Sequence, residues 1–311
     1  MTEALAGARA GTWAVLCNYN GGEENLVCLA ALAAEGLPPE RTVFVDNASS
    51  DGSLERVAAE FPGVVLLSNA TNEGYGHATN RGIRHALAAG ATRVFLVNND
   101  LFVQPATFAL LEAALDEPGV GIVGPRLVYA REPTRIWCAG GRVTYRQNLS
   151  TLVGHRATDG PQFRSREDVD YVPGCAMLVE REVFEQAGLL AGEYFAYHED
   201  VEFCITARES GFRCLYVGDV VAHHDAHHTT GGGYNRKRKY MMGVNTVWFL
   251  RRHGSPARWL SFFLFDVASL PFVWLLRAVH GEGRSVLAKA RGTWDGLRGR
   301  RVTAERLRRF D

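Results

Sequence analysis

Several features that would place a protein in a specialised class are missing from this sequence. The six cysteines among 311 residues show no paired short spacing, so we expect reduced thiols in a cytoplasmic protein and not a disulfide framework. The first eleven residues lack a basic region followed by an apolar one, which predicts a frayed tail and no secretory signal. No zinc-finger or RNA-binding signature occurs, so no nucleic-acid partner is expected.

The chain also lacks a net charge, but its charges are unevenly distributed. Residues 231–311 contain 17 Lys and Arg against 5 Asp and Glu, whereas residues 1–230 contain 17 against 29. A basic C-terminal region with aromatic residues suits anionic lipid head groups or phosphates, and an acidic remainder tolerates a metal ion. The two regions are therefore expected to meet different partners.

Four short apolar runs alternate with segments of helical spacing, and each run ends in Asn, Asp, Ser or Gly. The predicted strands are Trp13–Cys17, Thr42–Val45, Val64–Leu67 and Arg93–Val97. This alternation predicts an α/β protein with a doubly wound, mostly parallel sheet whose polar loops lie at one edge. Open sheets of this kind bind ligands at the carboxyl ends of their strands.

Three of these strand ends carry residues with a chemical interpretation. Asp46 is placed to accept a hydrogen bond from a nucleobase, and Gly74 allows the backbone to approach a phosphate. Asp100, after the two amides Asn98 and Asn99, suits a hydrated divalent cation and its phosphates. Each loop alone is also compatible with ordinary turn chemistry, because Asn, Asp and Gly are common turn residues.

A second chemically loaded stretch surrounds Glu199 and Asp200. The helix predicted over Val201–Gly211 would place Asp200 at its amino end, where free amides can fix a carboxylate that still faces the cleft. A carboxylate in that position suits a general base. A simple helix cap is the structural alternative.

Together these motifs resemble glycosyltransferase family 2, whose members have the GT-A fold. The resemblance rests on Asp46-Asn-Ala-Ser-Ser-Asp51, on Asn72-Glu-Gly74-Tyr-Gly76 with Asn80-Arg-Gly82, on Asn98-Asn99-Asp100 and on Glu199-Asp200. It covers about residues 13–253 and is greatest to bacterial rhamnosyltransferase-like members, which use nucleotide sugars to build cell-surface polysaccharides. A GT-A fold and an inverting sugar transfer are therefore expected.

The resemblance also implies roles for individual residues. Asp200 would be the base, Glu199 would orient it or the acceptor, and Asp100 and His223 would bind Mg²⁺ or Mn²⁺. The nucleotide sugar would be bound by Asn18, Tyr19, Asn20, Asp46, Asn47, Asn72, Gly74, Asn80, Asn98 and Asn99. Gly174, Cys175 and His198 would lie on the acceptor side.

Four histidines in six residues, His223, His224, His227 and His228, raise the alternative of a zinc site. Alternate residues of an extended segment point to opposite faces, so the four side chains cannot easily meet one ion. A strand is predicted over Arg213–Val217, ahead of these histidines. The family has a single histidine after this strand, and its position implies His223. Val244 and Thr206 stand where the family often has basic residues, which leaves the identity of donor and acceptor open.

The C-terminal region begins with the apolar segment Trp259–Arg277, which is interrupted by Asp266, Ser269 and Pro271. We interpret it as a helix lying at the membrane interface, with core packing and a membrane span as alternatives. A basic amphipathic helix is predicted over Ser285–Leu307. The chain is predicted to consist of a tail (1–11), a GT-A catalytic domain (12–255) and a helical extension (256–311). The catalytic domain is predicted to have a nucleotide-sugar half (12–115) and an acceptor and metal half (116–255).

The sequence therefore predicts an enzyme that moves rhamnose or a related deoxysugar from a dTDP- or UDP-sugar to a glycan or polyprenyl-linked acceptor. A location in the cytoplasm, with contact to the inner membrane surface through 256–311, is expected, and homodimer formation is left open. A sugar-nucleotidyltransferase is an alternative, but it would require Arg and Lys in the loop after the first strand. A GT-A protein that binds nucleotide or glycan without turnover is another alternative.

Overall fold

The computed structural model describes residues 10–146, 148–225 and 234–310. Most of the predicted tail, together with His227 and His228, lies outside the described residues. The polypeptide is organised around one large mixed sheet. Eight of its strands are adjacent in the order Arg166–Asp168, Arg213–His224, Val120–Tyr129, Ala176–Glu180, Arg93–Asn98, Thr12–Asn18, Thr42–Asp46 and Val65–Ser68.

The first four strands form the parallel part of this sheet. They are β1 (Thr12–Asn18), β2 (Thr42–Asp46), β3 (Val65–Ser68) and β4 (Arg93–Asn98), and helices α1 (Glu24–Ala34), α2 (Ser53–Glu60) and α3 (Tyr75–Ala88) connect them. Strand β1 pairs in parallel with β2 and β4, and β2 pairs with β3. All five residues of β2 are buried, as expected for a strand covered on both faces. The predicted alternation and the convergence of the strand ends are thus confirmed.

The second half of the sheet contains antiparallel pairings that place new loops at the same edge. Its strands are β5 (Leu101–Val103), β6 (Val120–Tyr129), β7 (Ile136–Cys138), β10 (Arg166–Asp168), β11 (Ala176–Glu180) and β12 (Arg213–His224). Its helices are α4 (Thr107–Leu115), α5 (Arg181–Ala187) and α6 (Glu199–Glu209). Two further strands, β8 (Gly141–Val143) and β9 (Ser150–Leu152), form a separate antiparallel pair. Because β11 is antiparallel to β4, its first residues lie beside the end of β4.

The bounds of two strands in this half depend on contacts with distant parts of the chain. Strand β11 begins only at Ala176, after the turn that contains Pro173 and Gly174. Strand β12 is continuous from Arg213 to His224, with a register shift between Val217 and Val221. The ten-residue buried strand β6 was not predicted at all.

The C-terminal region is helical. It consists of α7 (Arg236–His253), α8 (Pro256–Phe262), a π-helical turn (Phe263–Val267), α9 (Leu270–Ala278), α10 (Gly283–Leu297) and α11 (Ala304–Leu307). Helix α10 packs closely on α7, because Gly243 faces the carbonyl of Lys289 and Gly292 faces that of Tyr240. The single helix predicted over Ser285–Leu307 is wrong, since the chain leaves the helix near Gly299, whose φ is +75°.

Candidate active site

Asn18, at the end of β1, joins the first two strand-end loops. Its Nδ2 atom lies within hydrogen-bond distance of Asp46 Oδ1 at 2.9 Å, of Ser49 Oγ at 2.9 Å and of Ser53 Oγ at 2.8 Å, and its two N–H bonds are shared among them. Its Oδ1 accepts from the backbone N–H of Gly21 at 3.0 Å. Asn18 is fully buried, so this amide holds the loops together from within.

The loop between β1 and α1 is also tied to the second loop by its backbone. The N–H of Asn20 donates to Ser49 Oγ at 2.9 Å, and Asn20 Oδ1 accepts from the N–H of Ser50 at 2.8 Å. Tyr19 lies between these anchored residues, and 44% of it is exposed. An exposed aromatic ring on a fixed loop is available to stack on a ligand.

Asn47 performs a similar function between the second and third loops. Its N–H₂ group donates to Asn72 Oδ1 at 3.0 Å, and its Oδ1 accepts from Asn69 Nδ2 at 3.0 Å and from the N–H of Glu73 at 3.1 Å. The fourth loop joins through Asn99, whose Nδ2 lies 3.4 Å from Asn18 Oδ1. The four loops thus form one hydrogen-bonded network.

Two of the residues predicted to bind the nucleotide sugar have other contacts. Asn80 donates to the carbonyl of Leu190 at 2.7 Å and accepts from the N–H of the same residue at 3.1 Å. Gly74 has a φ of +87°, and a Cβ there would lie 2.5 Å from the carbonyl oxygen of Phe195. Asn80 therefore fixes the chain at Leu190, and Gly74 permits close backbone packing against Phe195.

Asp100 lies against His224, and not against the predicted His223. His224 Nε2 is 3.2 Å from Asp100 Oδ1, and both side chains are 6% exposed. The register of β5 on β12 pairs His224 with Leu101 and His223 with Phe102, so the two histidines have opposite orientations. Trp137 packs edge-on against the His224 ring, with 4.3 Å between the ring centroids.

The donor set of Asp100 and His224 fits Mg²⁺ or Mn²⁺ when a nucleotide diphosphate supplies further oxygens. Within residues 10–146, 148–225 and 234–310, no group of three or more His, Cys, Asp and Glu side chains could hold a metal ion. A zinc site made by protein residues alone therefore has no support in that part of the chain, and the predicted ligands His227 and His228 of such a site lie outside it.

The second carboxylate centre lies at the start of α6. Asp200 Oδ1 accepts from the N–H of Val201 at 2.8 Å, and its Oδ2 accepts from the N–H of Gly174 at 3.0 Å. Gly174 stands before β11, next to Cys175, whose carbonyl accepts from the N–H of Asn98 at 3.1 Å. Asp200 is consequently held at the edge of the sheet where β4 ends.

Burial affects the two carboxyl groups of this centre differently. Burial, and then the negative charge of Asp200, raise the pKa of Glu199 to about 8. Burial also raises the pKa of Asp200, but the two backbone N–H donors counteract it by stabilising the carboxylate. Asp200 is therefore the member of the pair whose ionised form is stabilised by hydrogen bonds, whereas Glu199 keeps its proton to a higher pH than an ordinary glutamic acid.

The thiol of Cys175 lies between the two centres. Burial raises its pKa well above the ordinary value, and the charges of Asp100 and Asp200 contribute to this. A thiol with a raised pKa is a poor nucleophile, so we assign no nucleophilic role to Cys175. His198, the other acceptor-side residue, is buried, and this burial lowers its pKa to about 4.

Tyr75 also fixes the backbone at Gly174. The Tyr75 hydroxyl donates to the carbonyl of Gly174 at 3.0 Å, while the N–H of Gly174 supports Asp200. A Cβ at Gly174 would lie 3.2 Å from Asp200 Cβ, so the absence of a side chain permits this approach. Sequence reasoning did not find Tyr75, although it lies inside the motif that follows Asn72.

The turn before the two carboxylates is strained. Phe195, Tyr197 and His198 have φ values of 68°, 70° and 74°, which is unfavourable for residues with side chains. The Nδ2 atom of the buried Asn245 side chain, on α7, lies within hydrogen-bond distance of the carbonyls of Tyr194, Ala196 and Tyr197, at 3.1, 2.8 and 2.8 Å, and its two N–H bonds are shared among them. Asn245 thus holds the turn that positions Glu199 and Asp200.

Two surface cavities lie away from these carboxylates. One, of about 530 Å³, is lined by Tyr145, Asp170, Arg208 and neighbouring residues. The other, of about 360 Å³, is lined by Asn72, His77, Arg301 and neighbouring residues. Neither cavity is lined by Asp100 or Asp200. The candidate active site is therefore identified from its side chains and not from a cavity.

Comparison with known proteins decides the family. A family model described as "Glycosyltransferase like family 2" matches residues 10–243, which include all the strand-end loops and both carboxylate centres. The chain belongs to glycosyltransferase family 2. The predicted family and enzyme class are confirmed, and this glycosyltransferase has the predicted GT-A fold.

Relatives and a solved structure place this glycosyltransferase more closely. An N-acetylglucosaminyl-diphospho-decaprenol L-rhamnosyltransferase of Mycobacterium tuberculosis is 30% identical in an alignment of 242 residues that covers 69% of this chain and 76% of the relative. A dTDP-rhamnosyl transferase of Shigella flexneri, RfbF, is 26% identical over 67% of this chain and 64% of the relative. A mannosyltransferase of Pyrobaculum calidifontis, solved with GDP-Man and Mn²⁺, shares 17% identity with a TM-score of 0.58, over 92% of this chain and 87% of that one.

Proposed function

We propose that this glycosyltransferase moves rhamnose or a related deoxysugar from a dTDP-sugar to a polyprenyl-linked saccharide acceptor, in the synthesis of a cell-surface glycan. The observation that carries the proposal is the carboxylate of Asp200, which two backbone N–H groups hold at the sheet edge that also carries Asp100 and His224. The names of the mycobacterial and Shigella relatives support the sugar and the acceptor.

The chemistry is a single displacement at the anomeric carbon. An acceptor hydroxyl attacks this carbon while Asp200 takes the hydroxyl proton, and the bond between the sugar and the diphosphate breaks. Each Asp200 oxygen accepts one backbone hydrogen bond, which leaves a lone pair for the incoming proton. Because one displacement inverts the configuration, the product should have the opposite anomeric configuration to the donor.

The nucleotide diphosphate would lie over the strand-end loops. Asp46 is the base-binding candidate at the end of β2, and its side chain is already oriented by Asn18 and by the N–H of Ser49. Asp100 and His224 would hold Mg²⁺ or Mn²⁺, which neutralises the charge of the leaving diphosphate when bound. We replace the predicted His223 by His224 in this proposal, because His224 is the histidine against Asp100.

A cytoplasmic location also remains a proposal. All six cysteines are free in the structure, and all except Cys17 are buried. A chain with six unpaired thiols is typical of a reducing compartment, and this is where nucleotide sugars would be used by such an enzyme.

The proposal is tested by a screen of nucleotide sugars with the purified chain, with and without Mn²⁺. We expect a rise in the melting temperature with a dTDP-sugar and Mn²⁺ together, and sugar transfer to a polyprenyl-diphosphate-linked acceptor detected by mass spectrometry. A set of UDP- and GDP-sugars serves as the specificity control. Metal-independent stabilisation by every nucleotide sugar, without transfer, would contradict the proposal.

A further inference from the structure

The segment Pro256–Ala278 presents a large apolar surface to solvent. It is long and apolar enough to cross a membrane by length and composition, yet only 11% of its apolar window is buried. Helix α9 has no buried residue. The exposed apolar side chains of this region are Leu260, Phe263, Leu264, Phe265, Phe272, Trp274, Leu275, Leu276 and Val279. So many large exposed apolar side chains within one segment indicate an interaction surface.

Two inward-facing side chains fix this segment to the rest of the protein. Phe262 is 1% exposed and packs with Val247 and Leu250 of α7. Asp266 forms a buried ion pair with Lys289 of α10, and Lys289 also donates to Asn148 Oδ1 at 3.1 Å. Because breaking a buried ion pair is costly, Asp266 keeps one side of the helix turned toward α10.

The position of the segment in the fold argues against a single crossing of a bilayer. Helix α7 precedes the segment and α10 follows it, and these two helices pack on each other at Gly243 and Gly292. The segment lies against both of them through Phe262 and Asp266. A crossing would carry α7, whose Asn245 binds the turn before Glu199, into the hydrocarbon core, which is about 30 Å thick. The segment and α10 therefore form a helical hairpin that lies against α7 and exposes apolar side chains on its other side.

The groups at the border of the patch match an anionic lipid surface. Arg258 lies over the Tyr145 ring at 4.4 Å, Arg277 over the Tyr234 ring at 4.5 Å and Arg146 over the Phe265 ring at 5.1 Å. Residues 231–311 as a whole carry 17 basic against 5 acidic residues. This excess of positive charge would repel a second copy of the same region, but it attracts anionic head groups.

We propose that the hairpin formed by Pro256–Ala278 and α10 lies in the interface of an anionic bilayer, embeds its apolar face and does not cross the membrane. The Trp259 and Trp274 rings would lie at head-group depth, and the arginines would contact the lipid phosphates. This docking goes beyond the sugar transfer and does not depend on which sugar is used.

The test is flotation of the full chain with vesicles of phosphatidylcholine containing phosphatidylglycerol. We expect the wild-type chain to float, and the double variant Phe272→Ser/Leu275→Ser to bind at least about tenfold more weakly, because two apolar side chains no longer enter the acyl region. The control Val27→Ser/Leu110→Ser removes two exposed apolar side chains of the catalytic domain and should float like the wild type. Unchanged melting temperatures of both variants would establish that they are folded.

The orientation is tested with a protease-cleavable tag at the C-terminus, in chain added to preformed vesicles. We expect external protease to remove the tag from all bound chains. A protected tag would mean that the segment spans the bilayer and would overturn the proposal. Equal flotation of wild type and the hairpin variant, or self-association of the wild type without flotation, would overturn it as well.

Discussion

The strand-end loops and the C-terminal hairpin both depart from the usual distribution of polar and apolar groups. The loops bury polar side chains, and the hairpin exposes apolar ones. At the sheet edge, Asn18, Asp46, Asp100 and Glu199 are buried polar residues in a hydrogen-bonded site. In the hairpin, large side chains such as Phe272 are exposed. Buried polar groups are retained when they are oriented for chemistry, and exposed apolar groups when a partner covers them. The comparison separates a site for reaction from a surface for attachment.

The largest expected effect separates the two regions directly. Asp200→Asn keeps the size of the side chain but cannot take a proton, so transfer to a water-soluble acceptor should fall by about 10² to 10⁴. Glu209→Gln, an exposed change on the same helix, should have no effect, and neither should the hairpin variant Phe272→Ser/Leu275→Ser. A rate assay with saturating donor gives the answer. The comparison fails if the hairpin variant loses as much activity as Asp200→Asn.

The next effect concerns the two adjacent histidines. His224→Ala removes the imidazole beside Asp100, and we expect about a 10- to 100-fold increase in the Mn²⁺ concentration required for half-maximal activity. His223→Ala is the matched control and should shift it by no more than about twofold. The measurement is a metal titration of initial rates. A larger shift with His223→Ala would restore the assignment made from the sequence.

The contribution of Asn245 is expected to be smaller and to appear in kcat. Asn245→Ala removes the amide that binds three carbonyls of the strained turn before Glu199, so the carboxylates should be misplaced and kcat should fall by about tenfold or more. The KM for the donor should stay within about twofold.

Asn80→Ala is the control for Asn245, because it removes an equally buried amide that bonds the backbone of Leu190. Both variants should lose stability in denaturant titrations, by about 1–3 kcal/mol. Only Asn245→Ala should lose kcat. A rise in donor KM with Asn80→Ala would instead favour the predicted contact of Asn80 with the nucleotide sugar.

The smallest effect is thermodynamic. The pKa of Glu199 is raised to about 8 in the folded chain, so the folded state binds a proton that the unfolded state releases between pH 4.5 and 8. Stability from this group is present at low pH and is lost as pH rises through this window. Glu199→Gln removes this titration. The change in unfolding free energy from wild type to variant should therefore be more favourable at pH 8 than at pH 5, by at least about 1 kcal/mol. An equal change at both pH values in urea titrations would contradict the assigned protonation.

The features that the sequence predicted are those that arise within one strand and its loop. The four strand ends, the Glu199-Asp200 pair and the exposed apolar segment are local patterns of residue type, and the structure places the strand-end loops together. The contacts of Asp200 with Gly174 and of Asn245 with the strained turn join distant parts of the chain, and no local pattern encodes them.

The choice between His223 and His224 shows the same limit. Alternation along an extended segment was recognised in the sequence, but which of the two histidines faces Asp100 depends on the pairing of β5 with β12. On its other edge, β12 also shifts its register against β6 between Val217 and Val221, and local sequence reveals neither pairing. Similarly, β6 was missed because its apolar run contains Gly and Pro, which usually weaken a strand prediction.

The anomeric configuration of the product tests the central claim most directly. Asp200 is proposed as the base of a single direct displacement, so NMR of the product formed from a dTDP-sugar should show inversion relative to the donor. Retention of configuration in the wild-type product, or wild-type turnover in the Asp200→Asn variant, would contradict the account.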